Sequence, residues 1–281
     1  MSTKIISVIN LKGGVAKTTT TAGLGEFLSG LHGKKVLIID LDPQTNCTTM
    51  LIGENKWREL NKNGHTLSTM FNDAVDDTHN FNISAALQKG VSGVGEVKSL
   101  DLLPSSLDLI DLQDRIANIP QGKFFANTPT EILKRAIFNV RSNYDYILID
   151  CPPNMGLITL NGLRISNWYI IPTIPDFMST YGIPQIINRV GQFSRSISEV
   201  ITCLGIVATK VRQNSNLHSR TWKELRLKNY AELFRSIFYE STQISQAAEY
   251  KPVNTLRQKW GYQGHYETFA AFTKEVITRC N

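Results

Sequence analysis

Cysteine is scarce and scattered in this chain of 281 residues. The four thiols, Cys47, Cys151, Cys203 and Cys280, form no C-x-x-C pair and have no histidine at zinc-ligand spacing. That excludes a disulfide scaffold and a structural zinc site, and the thiols read as reduced groups of a cytosolic protein. No apolar run approaches the ~18 residues that a membrane span needs. The opening residues, MSTKIISVIN, begin a strand rather than a secretory signal, so the expected compartment is the cytoplasm. Ten prolines and 19 glycines are too few, and 42% apolar residues too many, for a collagen-like or disordered chain. At this length folding hides roughly three quarters of the unfolded surface, so the core needs no metal or covalent staple.

Charge of one sign is absent from most of the chain. Residues 1–194 are neutral overall, and the whole formal excess of +6 falls in residues 195–281, which carry 13 Lys and Arg against 7 Asp and Glu. A basic stretch of this kind is the footprint of a polyanion binder or, equally, a solvated basic surface.

What is present is a run of β-rich segments separated by helical patterns. Strands are predicted at 4–10, 34–42, 100–106, 144–153, 168–174 and 201–210, with helices at 18–31 and 107–116. Near-continuous Val, Ile and Leu runs mark strands buried on both faces. Alternation with helices implies a doubly wound α/β fold, a mostly parallel sheet with helices on both faces. Residues 1–281 read as one domain, with 53–98, poorer in apolar residues and turn-rich at 90–97, as an insertion that is packed on it or partly mobile. A terminal helix near 266–279 carries a short stripe of Phe269, Phe272, Val276 and Ile277. Flanked by Glu267, Lys274, Glu275 and Arg279, that stripe suits docking on the core better than lying on a membrane.

The first strand is followed by LKGGVAKTT at 11–19. It departs from the generic phosphate loop, G-x-x-x-x-G-K-[ST], at both glycines, with Leu11 and Ala16 in their places. The physics of the loop survives. Gly13 and Gly14 can turn their N–H groups toward one anion, and the helix that follows presents its positive end. Lys17 would neutralise β- and γ-phosphates and the Thr18 hydroxyl would ligate Mg²⁺. The plainer alternative is a Gly-Gly turn ahead of a threonine-rich helix start.

Lys12 before the glycines makes this K-G-G-x-x-K-[ST], and here the chain resembles the ParA/MinD superfamily of deviant-Walker ATPases. DLDPQ (40–44), LDLLPSSLDL (100–109), LIDCPPNMGLITLNGL (148–163) and IPTIPDFMSTYGI (171–183) extend the resemblance over most of the chain in the family's order. The resemblance implies ATP and Mg²⁺ as cofactors. Lys12, Gly13, Gly14, Val15, Ala16, Lys17, Thr18 and Thr19 would hold the phosphates, with Thr18 on the metal and Asp150 supporting it through water. Asp42 would orient the attacking water, and Lys12 would reach across a homodimer to the partner's nucleotide. Asp40, one pleat before Asp42, has either a supporting polar role or is an aspartate satisfied by backbone N–H groups. No base-contacting residue is assigned at Thr209, Lys210 or in 236–253, where Tyr239 and Glu240 replace the familiar proline and arginine.

Several functions share this engine. An iron–sulfur branch needs paired cysteines, and Cys151 has none nearby. A MinD-like membrane-associated division regulator is disfavoured by the narrow stripe of the terminal helix. The basic third favours non-specific DNA as partner, with contacts among Arg212, Arg220, Lys223, Arg226, Lys228, Arg235, Lys251, Arg257 and Lys259. The expectation is therefore a cytoplasmic, nucleoid-associated partition ATPase, stimulated by a ParB-type protein, or the same engine positioning a protein cargo such as carboxysomes through an adaptor. No stable membrane association is expected. With the phosphate loop beginning at residue 11, no operator-reading N-terminal domain is expected either.

Overall fold

Seven parallel strands form one sheet in the order β3-β2-β4-β1-β5-β6-β7 in a computed structural model that describes residues 2–117, 129–262 and 264–281. The chain runs β1 (Lys4–Val8), α1 (Lys17–Gly30) and β2 (Val36–Asp40). It then passes through α2 (Asn46–Ile52), α3 (Glu54–Lys62), α4 (Leu67–Asp76) and α5 (Ile83–Ala86) to β3 (Leu100–Leu103). Next come α6 (Leu109–Ala117), α7 (Ile132–Ala136), β4 (Tyr146–Asp150), α8 (Leu157–Ile165) and β5 (Trp168–Thr173). The last third holds α9 (Phe177–Tyr181), α10 (Ile183–Ser196), β6 (Thr202–Val211), α11 (Asn216–Lys228), β7 (Leu233–Tyr239), α12 (Thr242–Gln246), α13 (Leu256–Trp260) and α14 (His265–Arg279).

The pleat divides each strand between two cores. On β2, Leu37 and Ile39 face one core while Val36 and Ile38 face the other. The first core is closed by α4, α6, α8 and α10, through side chains such as Phe71, Leu112, Leu163 and Ile186. The second is closed by α1, α2, α13 and α14, through Phe27, Met50, Trp260 and Phe269. Phe269 meets Trp260, Phe238 and Phe27 at ring separations of 4.3, 4.5 and 5.4 Å. A side chain at Gly23 on α1 would collide with that ring, so the glycine there serves a close helix–helix approach. The predicted apolar stripe of the terminal helix is thus spent inside the protein, with Phe269, Phe272 and Val276 buried.

Residues 53–98 are the greater part of the β2-to-β3 crossover and are packed along their length. Leu60, Leu67, Met70, Phe71, Ala86, Val91, Val94 and Val97 are all buried. Gln88 exchanges both backbone hydrogen bonds with Leu102, which covers the β3 edge of the sheet.

The sixth predicted strand is not the last. LFRSIFY forms β7 beside β6, a strand that the apolar runs do not announce. Its pattern explains the miss: Phe234, Ser236 and Phe238 point inward and Arg235 and Tyr239 outward, the alternation of a half-covered edge strand rather than a solid apolar run. Its outer edge is closed by α14, where the Glu275 carboxylate accepts the Arg235 and Ser236 backbone N–H groups at 2.9 and 3.0 Å.

Candidate nucleotide site

The carboxyl ends of β1, β2 and β4 converge on the loop between β1 and α1, the place where open parallel sheets bind ligands. Asn10 staples that loop on both sides, donating to the Pro172 carbonyl of β5 at 2.8 Å and accepting the Lys12 N–H at 2.9 Å. Gly13 and Gly14 are open to solvent, nothing lies within 4 Å of where a Cβ would stand, and Gly14 has φ +76°. Ala16, which stands where the generic motif has its second glycine, adopts a left-handed conformation at φ 64°. The cost is of order 1 kcal/mol, since Cβ crowds the backbone there. The sequence marks Ala16 as a departure from the generic motif, and its backbone carries the strain of a left-handed alanine.

Lys17 is almost fully buried, and its ammonium donates to the Lys12 carbonyl at 3.2 Å. Burial pushes its pKa down, against the pull of Asp150 and Asp42. Those two carboxylates and Asp40 crowd the ends of β2 and β4. Asp150 accepts from the Thr18 hydroxyl at 2.7 Å and from the Thr21 hydroxyl at 3.2 Å. Burial raises the Asp150 carboxyl to about 7, with the Asp42 charge adding to the rise and Thr18, Lys17 and Thr21 opposing it. Asp42 is likewise raised by burial, while the Gln44 N–H, which it accepts at 3.0 Å, and Lys17 hold it down.

Both readings of Asp40 find support in its contacts. It accepts the backbone N–H groups of Asp42 and Thr48 and the Thr48 hydroxyl, at 3.1, 2.9 and 2.7 Å. A buried aspartate satisfied by the backbone therefore also fixes the loop that carries Asp42. Ser105, beyond β3, clamps the same loop by donating from its hydroxyl to the Asp42 carbonyl at 2.7 Å.

These residues fit a magnesium–nucleotide complex. An open glycine cradle lies over a helix start, a buried ammonium near two carboxylates makes its hydrogen bond to a carbonyl, and a hydroxyl–carboxylate pair supplies hard oxygen donors. Among the described residues no cluster of three or more His, Cys, Asp or Glu stands ready to cage a metal. The Thr18 hydroxyl and the Asp150 carboxylate behind it suit a magnesium ion held by few protein oxygens and completed by phosphate and water.

A family model described as an AAA domain matches residues 3–203. The sporulation initiation inhibitor protein Soj of Bacillus subtilis is 31% identical over 252 residues, covering 89% of this chain and 90% of that one. The chain belongs to the ParA/Soj family of deviant-Walker ATPases. The chromosome-partitioning ATPase Soj of Treponema pallidum is 28% identical over 281 residues, 98% of each chain. The fold of a Mycobacterium smegmatis cobyrinic acid a,c-diamide synthase, solved with an ATP analogue and magnesium, superposes with a TM-score of 0.75 at 23% identity, over 98% of this chain and 94% of that one.

The basic residues expected of a ParA/Soj-type DNA surface do not gather in one place. Arg220, Lys223, Arg226 and Lys228 lie exposed on α11, whose Trp222 and Leu225 anchor it to the first core. Arg212 is exposed just before that helix and pairs with Glu240 at 2.8 Å. Arg257 and Lys259 sit on α13, which packs on the second core, the opposite face of the sheet. Arg257 is taken by Glu267 at 2.6 Å and stacks over Tyr266, and Lys251 pairs with Glu249 at 2.7 Å. Arg235 projects from β7.

Lys259, contrary to the expectation, is not available as a DNA contact. It is buried, with its ammonium on the Glu26 carboxylate at 2.6 Å. Glu26 also accepts the Trp260 indole N–H at 2.7 Å and the Ser92 hydroxyl at 2.6 Å. This lysine ties α13 to α1; charge counting along the sequence cannot tell such a residue from a surface one.

Proposed function

We propose that the protein is a partition-type ATPase that pairs in its ATP state and then binds DNA without sequence preference. The observation that carries this reading is the loop at 12–18, where two open glycines, a buried lysine ammonium and a hydroxyl linked to a buried carboxylate lie together at the start of α1. The Gly13–Thr19 backbone would hold the phosphates, Lys17 would offset their charge, and Thr18, with Asp150 behind it, would hold Mg²⁺. The metal, when bound, neutralises charge that builds on the β- and γ-phosphates. Asp42, held by Asp40 and Ser105, would orient the attacking water. Lys12 would complete the partner subunit's site, so that pairing and hydrolysis depend on each other.

Pairing doubles whatever cationic surface each subunit offers, and counterion release converts that into usable affinity. The α11 cations, four exposed side chains on one helix, are the surface best placed for this. The cargo-side partner would be a ParB-type protein that stimulates hydrolysis, and the nucleoid would be the site of action.

The test is DNA co-sedimentation with ATP, ADP or no nucleotide at two salt concentrations, on wild type and Asp42→Ala. Salt-sensitive binding with ATP only, persisting in Asp42→Ala while hydrolysis falls at least about 100-fold, is expected. Binding that ignores nucleotide, or none at all, overturns the DNA reading. Reversing Arg220, Lys223 and Arg226 together should flatten the log–log salt dependence by about 0.9 for each DNA phosphate that is no longer neutralised.

A further inference from the structure

The Lys12 side chain is engaged within its own subunit. Its ammonium lies 2.9 Å from the Ser179 hydroxyl and 3.4 Å from each carboxylate oxygen of Asp176. Asp176 is the N-cap of α9, accepting the Ser179 N–H at 2.6 Å. Although partial burial pushes its carboxyl up, the Ser179 hydrogen bonds and the Lys12 charge hold it below the usual range. The backbone of the same lysine is engaged as well, because its carbonyl accepts from Lys17 and its N–H donates to Asn10. Both lysines of the loop are thus tied through residue 12.

We propose that Asp176 and Ser179 are positioning residues that hold Lys12 back in the unpaired subunit and so raise the nucleotide concentration at which subunits pair. This rests on the dimer reading above. The order of events follows from the contacts. An anion that draws Lys17 away deprives the Lys12 carbonyl of its donor and loosens the residue. The ammonium then exchanges Asp176 and Ser179 for the phosphates of the facing site. The hold must be weak to be useful. With Lys12 and Asp176 side chains 39% and 27% exposed, the pair belongs with partly exposed ion pairs, whose loss shifts an equilibrium by about two- to fivefold.

Asp176→Asn separates this role from folding, because asparagine caps a helix as well as aspartate does and removes only the charge. Two readouts are taken. The first is acylation of Lys12 by acetic anhydride in nucleotide-free protein, followed by mass spectrometry with exposed Lys62 as internal standard. The second is the concentration of a non-hydrolysable ATP analogue giving half-maximal dimer in sedimentation velocity. Asp176→Asn should label Lys12 about two- to fivefold faster and lower the half-maximal concentration by a similar factor, with Ser179→Ala shifting both in the same direction. Unchanged labelling, or a half-maximal concentration that stays put or rises, overturns the proposal. A wild type that remains monomeric at saturating analogue refutes the dimer reading instead, and the labelling comparison then decides alone whether Asp176 holds Lys12.

Discussion

Two buried charged clusters lie at opposite ends of α1, and they are built on opposite terms. At the far end one carboxylate, Glu26, meets one ammonium, Lys259, and two neutral donors, Trp260 and Ser92. Charge and hydrogen bonds balance, as they do where a buried pair fastens two elements. At the near end three carboxylates, Asp40, Asp42 and Asp150, crowd one lysine, and burial drives their pKa values up. The near cluster carries an excess of negative charge and a strained loop beside it, which suits a place where a cation and a polyphosphate arrive together. A balanced cluster fastens; an unbalanced one binds.

Breaking the balanced cluster should cost most. Lys259→Met leaves Glu26 charged and buried without its partner, and a loss of about 3–5 kcal/mol in denaturant unfolding is expected. Adding Glu26→Gln should restore part of that loss, because the uncompensated charge goes. If both variants unfold like the wild type, the network does not fasten α13 to α1.

The unbalanced cluster should respond in the opposite direction. The folded Asp150 carboxyl titrates near 7, above its unfolded value of about 3.9. Between those values the native state binds the extra proton, so in nucleotide-free protein this group makes stability fall as pH rises from about 4 to about 7. Asp150→Asn should flatten that fall and raise stability at pH 7 by about 1–3 kcal/mol, while abolishing hydrolysis. Equal slopes in the two proteins would show that Asp150 carries no such strain. The smallest effect is expected at the loop: Ala16→Gly relieves the left-handed backbone and should add up to about 1 kcal/mol in thermal unfolding, with nucleotide binding retained.

Legibility in the sequence tracked how local each signal was. Six strands announced themselves because both faces are apolar, and the phosphate loop because its spacing is covalent. β7 did not, since an edge strand alternates and its inward residues include Ser236. The balanced cluster joins residues 233 and 234 positions apart, which no local pattern records. For that reason Lys259 reads in the sequence as one more surface charge. Asp176 and Ser179 fell inside a family-like segment, yet their hold on Lys12 exists only once β1 and β5 lie side by side.

The closed margins of the sheet limit how copies of this protein can associate. On one side Gln88 takes the backbone groups of Leu102, and on the other Glu275 takes the amides of Arg235 and Ser236. Unclosed, such margins would template strand-by-strand growth wherever molecules crowd along a polymer. With these groups taken, neither margin offers another copy a continuous ladder, so crowded molecules would meet through their ends and helical surfaces and stay separable rather than setting into a fibre.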